Sequence, residues 1–177
     1  MNKAAMRSAL GFFVSLVSCS CGAGMGGGHA PSGDGHAMVG VHAPGFSRPG
    51  LFGGGTLSPE SAKGKVLIVD FWATYCKPCE KSFPRLQALA DRRGGSLVVY
   101  ALSEDESKDG IAAFVKKTGV RFPIGWDDGN SVSPRYKLDK MPTSYVVDKK
   151  GIIRFVHGGY GDGEEEVIGR EVEQLLR

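Results

Sequence analysis

The sequence predicts an α/β domain: a central mixed β-sheet flanked by helices. Two observations carry this. Apolar runs of strand length alternate with helical spacing from Val66 onward, and their order is strand–helix–strand followed by strand–strand–helix. A strand–helix–strand half places its strands parallel, whereas two strands joined by a tight turn run antiparallel, so one sheet holding both is mixed. With 177 residues, of which 41% are apolar and 23% charged, the chain can bury one sizeable core.

The first strand is Val66–Phe71, an apolar run preceded by Gly64-Lys65, and the helix after it spans Pro78–Arg93, with Phe83, Leu86, Leu89 and Ala90 at helical spacing and Gly94-Gly95 as its stop. Leu97–Leu102 is a second buried strand. Glu104–Asp109 is a polar loop, and Ile111–Thr118 a short helix stopped by Gly119. Ser144–Val147 and Ile152–Val156 are strands joined at "DKKG", and Glu164–Leu176 is an amphipathic helix with acids in its first turn, where the helix dipole favours them. No internal repeat is visible.

The first 42 residues have a different character. Lys3 and Arg7 precede a short apolar run, Ala9–Val17, about half the length a membrane span needs. This predicts an export signal over residues 1–18. It ends in "LVSC", which resembles the bacterial lipobox and makes Cys19 the expected lipidation site; ordinary cleavage after Ala23, leaving no anchor, is the alternative. Residues 19–42 are rich in Gly, Ala, Ser and His, too poor in apolar mass to offset ordering entropy, and are expected to be a flexible tether before a folded domain at 43–177. Met25, His29, His36, Met38 and His42 suit copper chemically, but nothing in the pattern fixes their geometry, and a solvated linker is the preferred reading. The net charge is +3, and about +1 without Lys3 and Arg7, which gives no basis for nucleic-acid binding.

The chemistry concentrates in "VDFWATYCKPCE", Val69–Glu80. A strand, a short loop and then a helix place Cys76 at the helix mouth, where unsatisfied N–H groups and the dipole stabilise a thiolate, and Cys79 one turn in. An all-cysteine zinc site fails because the other cysteines, Cys19 and Cys21, lie in the leader. A structural disulfide closing so short a loop removes little unfolded-state entropy. A redox pair is the reading that remains.

"VDFWATYCKPC", with "GVRFPIGWDDGN" and "YKLDKMPTSYVVDKKGII", resembles the thioredoxin superfamily, and in particular its membrane-tethered TlpA/ResA-like branch of thiol–disulfide oxidoreductases, over about residues 43–176. The resemblance implies a thioredoxin-like fold with that branch's N-terminal extension and an insertion between Gly110 and Asp139. It also implies that Cys76 attacks, Cys79 resolves, Asp70 is a buried acid–base carboxylate, and Pro142, after Met141, is a cis-proline opposite the cysteines. Pro84 matches the proline that kinks the active-site helix. Trp72 and Tyr75, with Met141 and Pro142, are the candidate substrate-binding residues. The sequence departs from the ResA-like pattern in two places: Ser82 stands where a glutamate is common, and Asp70 where an acid is usually absent.

The implied activity needs no bound cofactor. Its partners are protein disulfides, apocytochrome c leading among them, and a membrane protein that supplies electrons, because an extracytoplasmic pair drifts to the disulfide unless re-reduced. The alternatives are a disulfide-forming oxidase and a copper-binding maturation factor using Cys76, Cys79 and His157. A peroxidase is disfavoured because no separate peroxide-reactive cysteine with a Thr and Arg pocket is visible.

Overall fold

The computed structural model describes residues 35–177. In chain order its elements are β1 (Arg48–Pro49), β2 (Thr56–Leu57), β3 (Val66–Trp72), α1 (Lys77–Arg93), β4 (Leu97–Ser103), α2 (Ile111–Thr118), β5 (Ile124–Trp126), β6 (Thr143–Val147), β7 (Ile153–Gly158) and α3 (Glu164–Leu176), with short 3₁₀ turns between some of them. β1 and β2 form a small hairpin. The other strands form one five-stranded sheet in the order β5-β4-β3-β6-β7. β3, β4 and β5 are parallel, and β6 and β7 antiparallel, so the sheet is mixed as expected.

Alternation along β3 divides the core. Val66, Ile68 and Trp72 join Phe83, Leu86 and Leu89 of α1, Phe114 of α2 and Ile168 and Val172 of α3 in one cluster. Leu67, Val69 and Phe71 point the other way, onto Tyr100, Tyr145, Tyr136, Leu57 and Phe46. Helices flank the sheet, but unevenly. All three α-helices contribute to the first cluster, whereas the second is covered by the N-terminal segment and by 3₁₀ turns at Pro59–Ala62 and Ser133–Tyr136.

The anticipated insertion supplies α2 and β5, the latter a third parallel strand at the sheet edge. β5 and the β1–β2 hairpin are too short to show a period, which is why alternation does not reveal them. Packing also begins earlier than Ala43. Met38 is buried, Gly40 N–H donates to Ile153 O at 2.8 Å, Ile153 N–H donates to Val41 O at 2.9 Å, and the His36 ring meets Tyr145 edge-on at 5.7 Å. Residues 35–42 are thus part of the domain and not of a tether: partners distant in sequence satisfy a segment whose own composition is poor in apolar mass. The expected signal segment, Cys19, Cys21, Met25 and His29 lie outside the described residues.

Candidate active site

The site forms where β3 ends and α1 begins. Cys76 is the N-cap of α1 with extended backbone (φ −79°, ψ 99°), and Cys79 N–H approaches its Sγ at 3.3 Å. Pro78 sits in the first turn, where its missing N–H leaves no bond unmade. Cys76 and Cys79 are joined as a disulfide, with Cα atoms 5.3 Å apart. Exposure separates them: Cys76 keeps 6% and Cys79 none, so an incoming sulfur reaches Cys76. Lys77 is exposed and pairs with Glu80 at 3.3 Å, which Lys117 also holds at 2.8 Å. Pro84 lies inside α1, as expected.

Asp70 is fully buried, with neighbours Val69 and Phe71 facing the opposite cluster, so its carboxyl lies on the face shared by Ile68, Trp72 and Cys79. Burial pushes its pKa up to about 7, against the pull of one hydrogen bond donated by Ser144 Oγ to Oδ1. Oδ2 is buried with no partner among the described residues. A carboxyl that changes charge near neutral pH, on the same sheet face as Cys79, has the pKa that proton exchange at that pH requires.

The Met141–Pro142 peptide is cis, and Met141 packs against the cluster that contains both cysteines. Tyr75, at 67% exposure, projects beside Cys76. Trp72 departs from its expected place among the substrate-binding residues. It is wholly buried, with Phe83 at 4.9 Å and Phe114 at 4.6 Å between ring centroids, so it is a core side chain, while Tyr75 is the exposed aromatic of the pair.

Sequence reasoning missed three supporting features. Asp105 accepts from Thr74 N–H at 3.0 Å, from Thr74 Oγ1 at 2.6 Å and from Ser103 Oγ at 2.7 Å, while its carbonyl accepts from Trp126 Nε1 at 2.7 Å. The loop before Cys76 is therefore tied to the end of β4. Ser82, buried, donates to Cys79 O at 3.3 Å. His157 is buried, with each ring nitrogen 2.6 Å from a glutamate of α3, Glu164 or Glu171. Both nitrogens are engaged, which removes the basis of a copper site built on Cys76, Cys79 and His157. The Asp105 and His157 bonds join different elements and leave no periodic signal, while the Ser82 bond lies within one turn of α1 and has no residue pattern that marks it.

The family model for the AhpC/TSA family matches residues 39–156. The chain belongs to the AhpC/TSA family. Thioredoxin-like protein YneN of Bacillus subtilis (strain 168) is 35% identical to the chain over 140 residues, 77% of this chain and 78% of the relative. Thiol-disulfide oxidoreductase ResA of Bacillus cereus is 30% identical over 140 residues, 78% and 75% of the two chains. A crystal structure from Chlorobium tepidum, provisionally designated thiol:disulfide interchange protein DsbE, superposes with a TM-score of 0.74 at 26% identity, covering 78% of this chain and 98% of that one. The fold is thioredoxin-like, and the Cys76–Cys79 pair with these relatives assigns the chain to the thiol–disulfide oxidoreductases.

Proposed function

We propose that the protein is an extracytoplasmic, lipid-tethered reductase of protein disulfides, with apocytochrome c as the leading substrate. The observation that carries the reaction is the asymmetry of the pair: Cys76 at the mouth of α1 and within reach, Cys79 buried behind it on the sheet face that holds Asp70. The reduced pair attacks through the Cys76 thiolate, which the helix N-terminus stabilises. Cys76 sulfur bonds to one substrate sulfur, and the other leaves as a thiolate and takes a proton from solvent. Cys79 then loses its proton to Asp70 and attacks Cys76, which re-forms the Cys76–Cys79 disulfide and expels the second substrate sulfur. Two electrons pass to the substrate, and a membrane dithiol donor restores the pair.

Tyr75, Met141 and Pro142 supply the surface against which the substrate chain rests. The export signal, Cys19 and the glycine-rich segment support anchoring at the cell envelope. Among the described residues no helix is long and apolar enough to cross a membrane.

The deciding measurement is the reduction potential of the Cys76–Cys79 couple together with turnover of a protein disulfide. A reducing potential, near about −270 mV, with turnover of oxidised cytochrome-type Cys-x-x-Cys peptides is the expected outcome. A potential near about −120 mV, as for strong dithiol oxidants, would reverse the assigned direction.

A further inference from the structure

Asp70 stands opposite Ser144, and Ser144 opposite His157, so the three form one lateral row across β3, β6 and β7. Directly opposed residues share a sheet face, here the face under α1 and α3. All three are buried. A polar row beneath two helices is costly unless its members are satisfied. At one end Ser144 donates to Asp70, whose Oδ2 has no partner among the described residues. At the other end the His157 ring lies between two carboxyl groups, a setting that favours the imidazolium, in which both nitrogens are donors. Burial opposes that charge, but Glu171 and Glu164 outweigh it and hold the His157 pKa above the ordinary histidine value.

Against Ser144 and His157 lies a narrow cavity of about 10 Å³, space for about one water, lined also by Ser82, Pro142, Tyr160 and Glu164. Its outer wall carries Arg85 and Glu165, 3.5 Å apart, with Tyr160 OH donating to Glu165 at 2.7 Å. Ser144 is the link, since its hydroxyl bonds Asp70 and the residue also lines the cavity. Ser82 ties the cavity to the cysteines through Cys79 O. Glu164 and Glu171 side chains keep 10% and 16% exposure, so the far end reaches solvent.

We propose that Ser144, one water in this cavity and Glu164 form a proton relay that carries the Cys79 proton from Asp70 to solvent, with His157 as the positioning residue that holds Glu164 at the cavity wall. This rests on Asp70 being the acceptor of the Cys79 proton. As Cys79 sulfur bonds to Cys76 and the Cys76–substrate bond breaks, the electron pair leaves with the substrate sulfur and the Cys79 proton reaches Asp70. In the same concerted step Asp70 passes a proton to the Ser144 oxygen while the Ser144 proton moves to the water, so the relay is part of resolution and sets its rate. The water gives one to Glu164, and Glu164 releases it to solvent, leaving each relay group as it began.

The test is single-turnover resolution of a trapped mixed disulfide against pH, for wild type, Ser144→Ala, Ser144→Thr, Glu164→Gln and His157→Gln, each also in an Asp70→Asn background. Ser144→Ala and Glu164→Gln should slow resolution about tenfold near pH 7 without slowing formation, a fraction of what general acid–base assistance supplies. Ser144→Thr should restore the rate, His157→Gln should move the pH profile, and none should add to the Asp70→Asn defect. Wild-type resolution in Ser144→Ala, or defects that multiply with that of Asp70→Asn, would overturn the relay while leaving Asp70 in its role. Normal resolution in Asp70→Asn would remove the Asp70 assignment, and the relay with it. Should the cavity variants fail to fold, wild-type protein in heavy water decides: the relay requires a larger solvent isotope effect on resolution than on formation, and equal effects contradict it.

Discussion

Asp105 accepts both the backbone N–H and the hydroxyl of Thr74, two residues before Cys76, and so fixes the approach of the loop to the active-site helix. Asp105→Ala removes a charged acceptor from three donors, counting Ser103. It should destabilise the fold by about 2 kcal/mol and slow attack by Cys76, while Asp105→Asn, which keeps an acceptor oxygen, should lose less. Thermal unfolding together with the rate of mixed-disulfide formation checks this; an unaltered attack rate in Asp105→Ala would make the tie structural only.

The exposure difference within the pair predicts different fates for its two variants. Cys76→Ser should abolish reduction of an insulin-type disulfide, and Cys79→Ser should accumulate mixed disulfides with partners. Gel analysis under non-reducing conditions distinguishes them, and equal trapping by both would refute the order of attack.

Asp70 links stability to pH. Its folded pKa of about 7 lies above the ordinary 3.8, so between those values the folded state holds a proton that the unfolded chain has lost. Stability from this group is therefore full below about pH 4, falls as pH rises toward 7, and stays reduced above. Asp70→Asn should raise stability at pH 8 by up to about 4 kcal/mol, give no gain at pH 4, and slow resolution more than attack near neutral pH. Denaturant unfolding at the two pH values reads the first effect and trapped-intermediate kinetics the second.

Glu104 contributes with the same sign from the other side of the sheet. Burial pushes its pKa up to about 7, opposed by the Ser133 hydroxyl and reinforced by the nearby Asp127, which itself pairs with Arg48 at 2.9 Å. Glu104→Gln should raise the melting temperature at pH 8 and leave it nearly unchanged at pH 4. An equal shift at both pH values would show that ionisation is not the cause.

Anchoring is tested apart from the chemistry. Cys19→Ser should block lipid incorporation and either leave the precursor uncleaved or release the protein from the membrane fraction. Wild-type protein whose N-terminus lies beyond Cys21 would contradict the lipid anchor.

By itself the sequence determined the elements with a strong local signal. β3, α1, β4, α2, β6, β7 and α3 lie within one or two residues of their expected spans, because alternation, helical spacing and glycine stops such as Gly119, left-handed at φ 68°, act over a few neighbours. Cys76 and Cys79 were legible for the same reason: the helix mouth that holds one and the first turn that holds the other follow from the chain itself. Tertiary structure alone decided which polar residues meet. Ser144 faces Asp70 only because β6 pairs with β3 in that register, and His157 meets Glu164 and Glu171 only because α3 packs back over β7. It also placed Trp72 inside the core and drew residues 35–42 onto Ile153 and Tyr145. Such contacts depend on strand register and long-range closure, and their energy is realised only once the sheet has formed, so local composition around any one of these residues carries no trace of them.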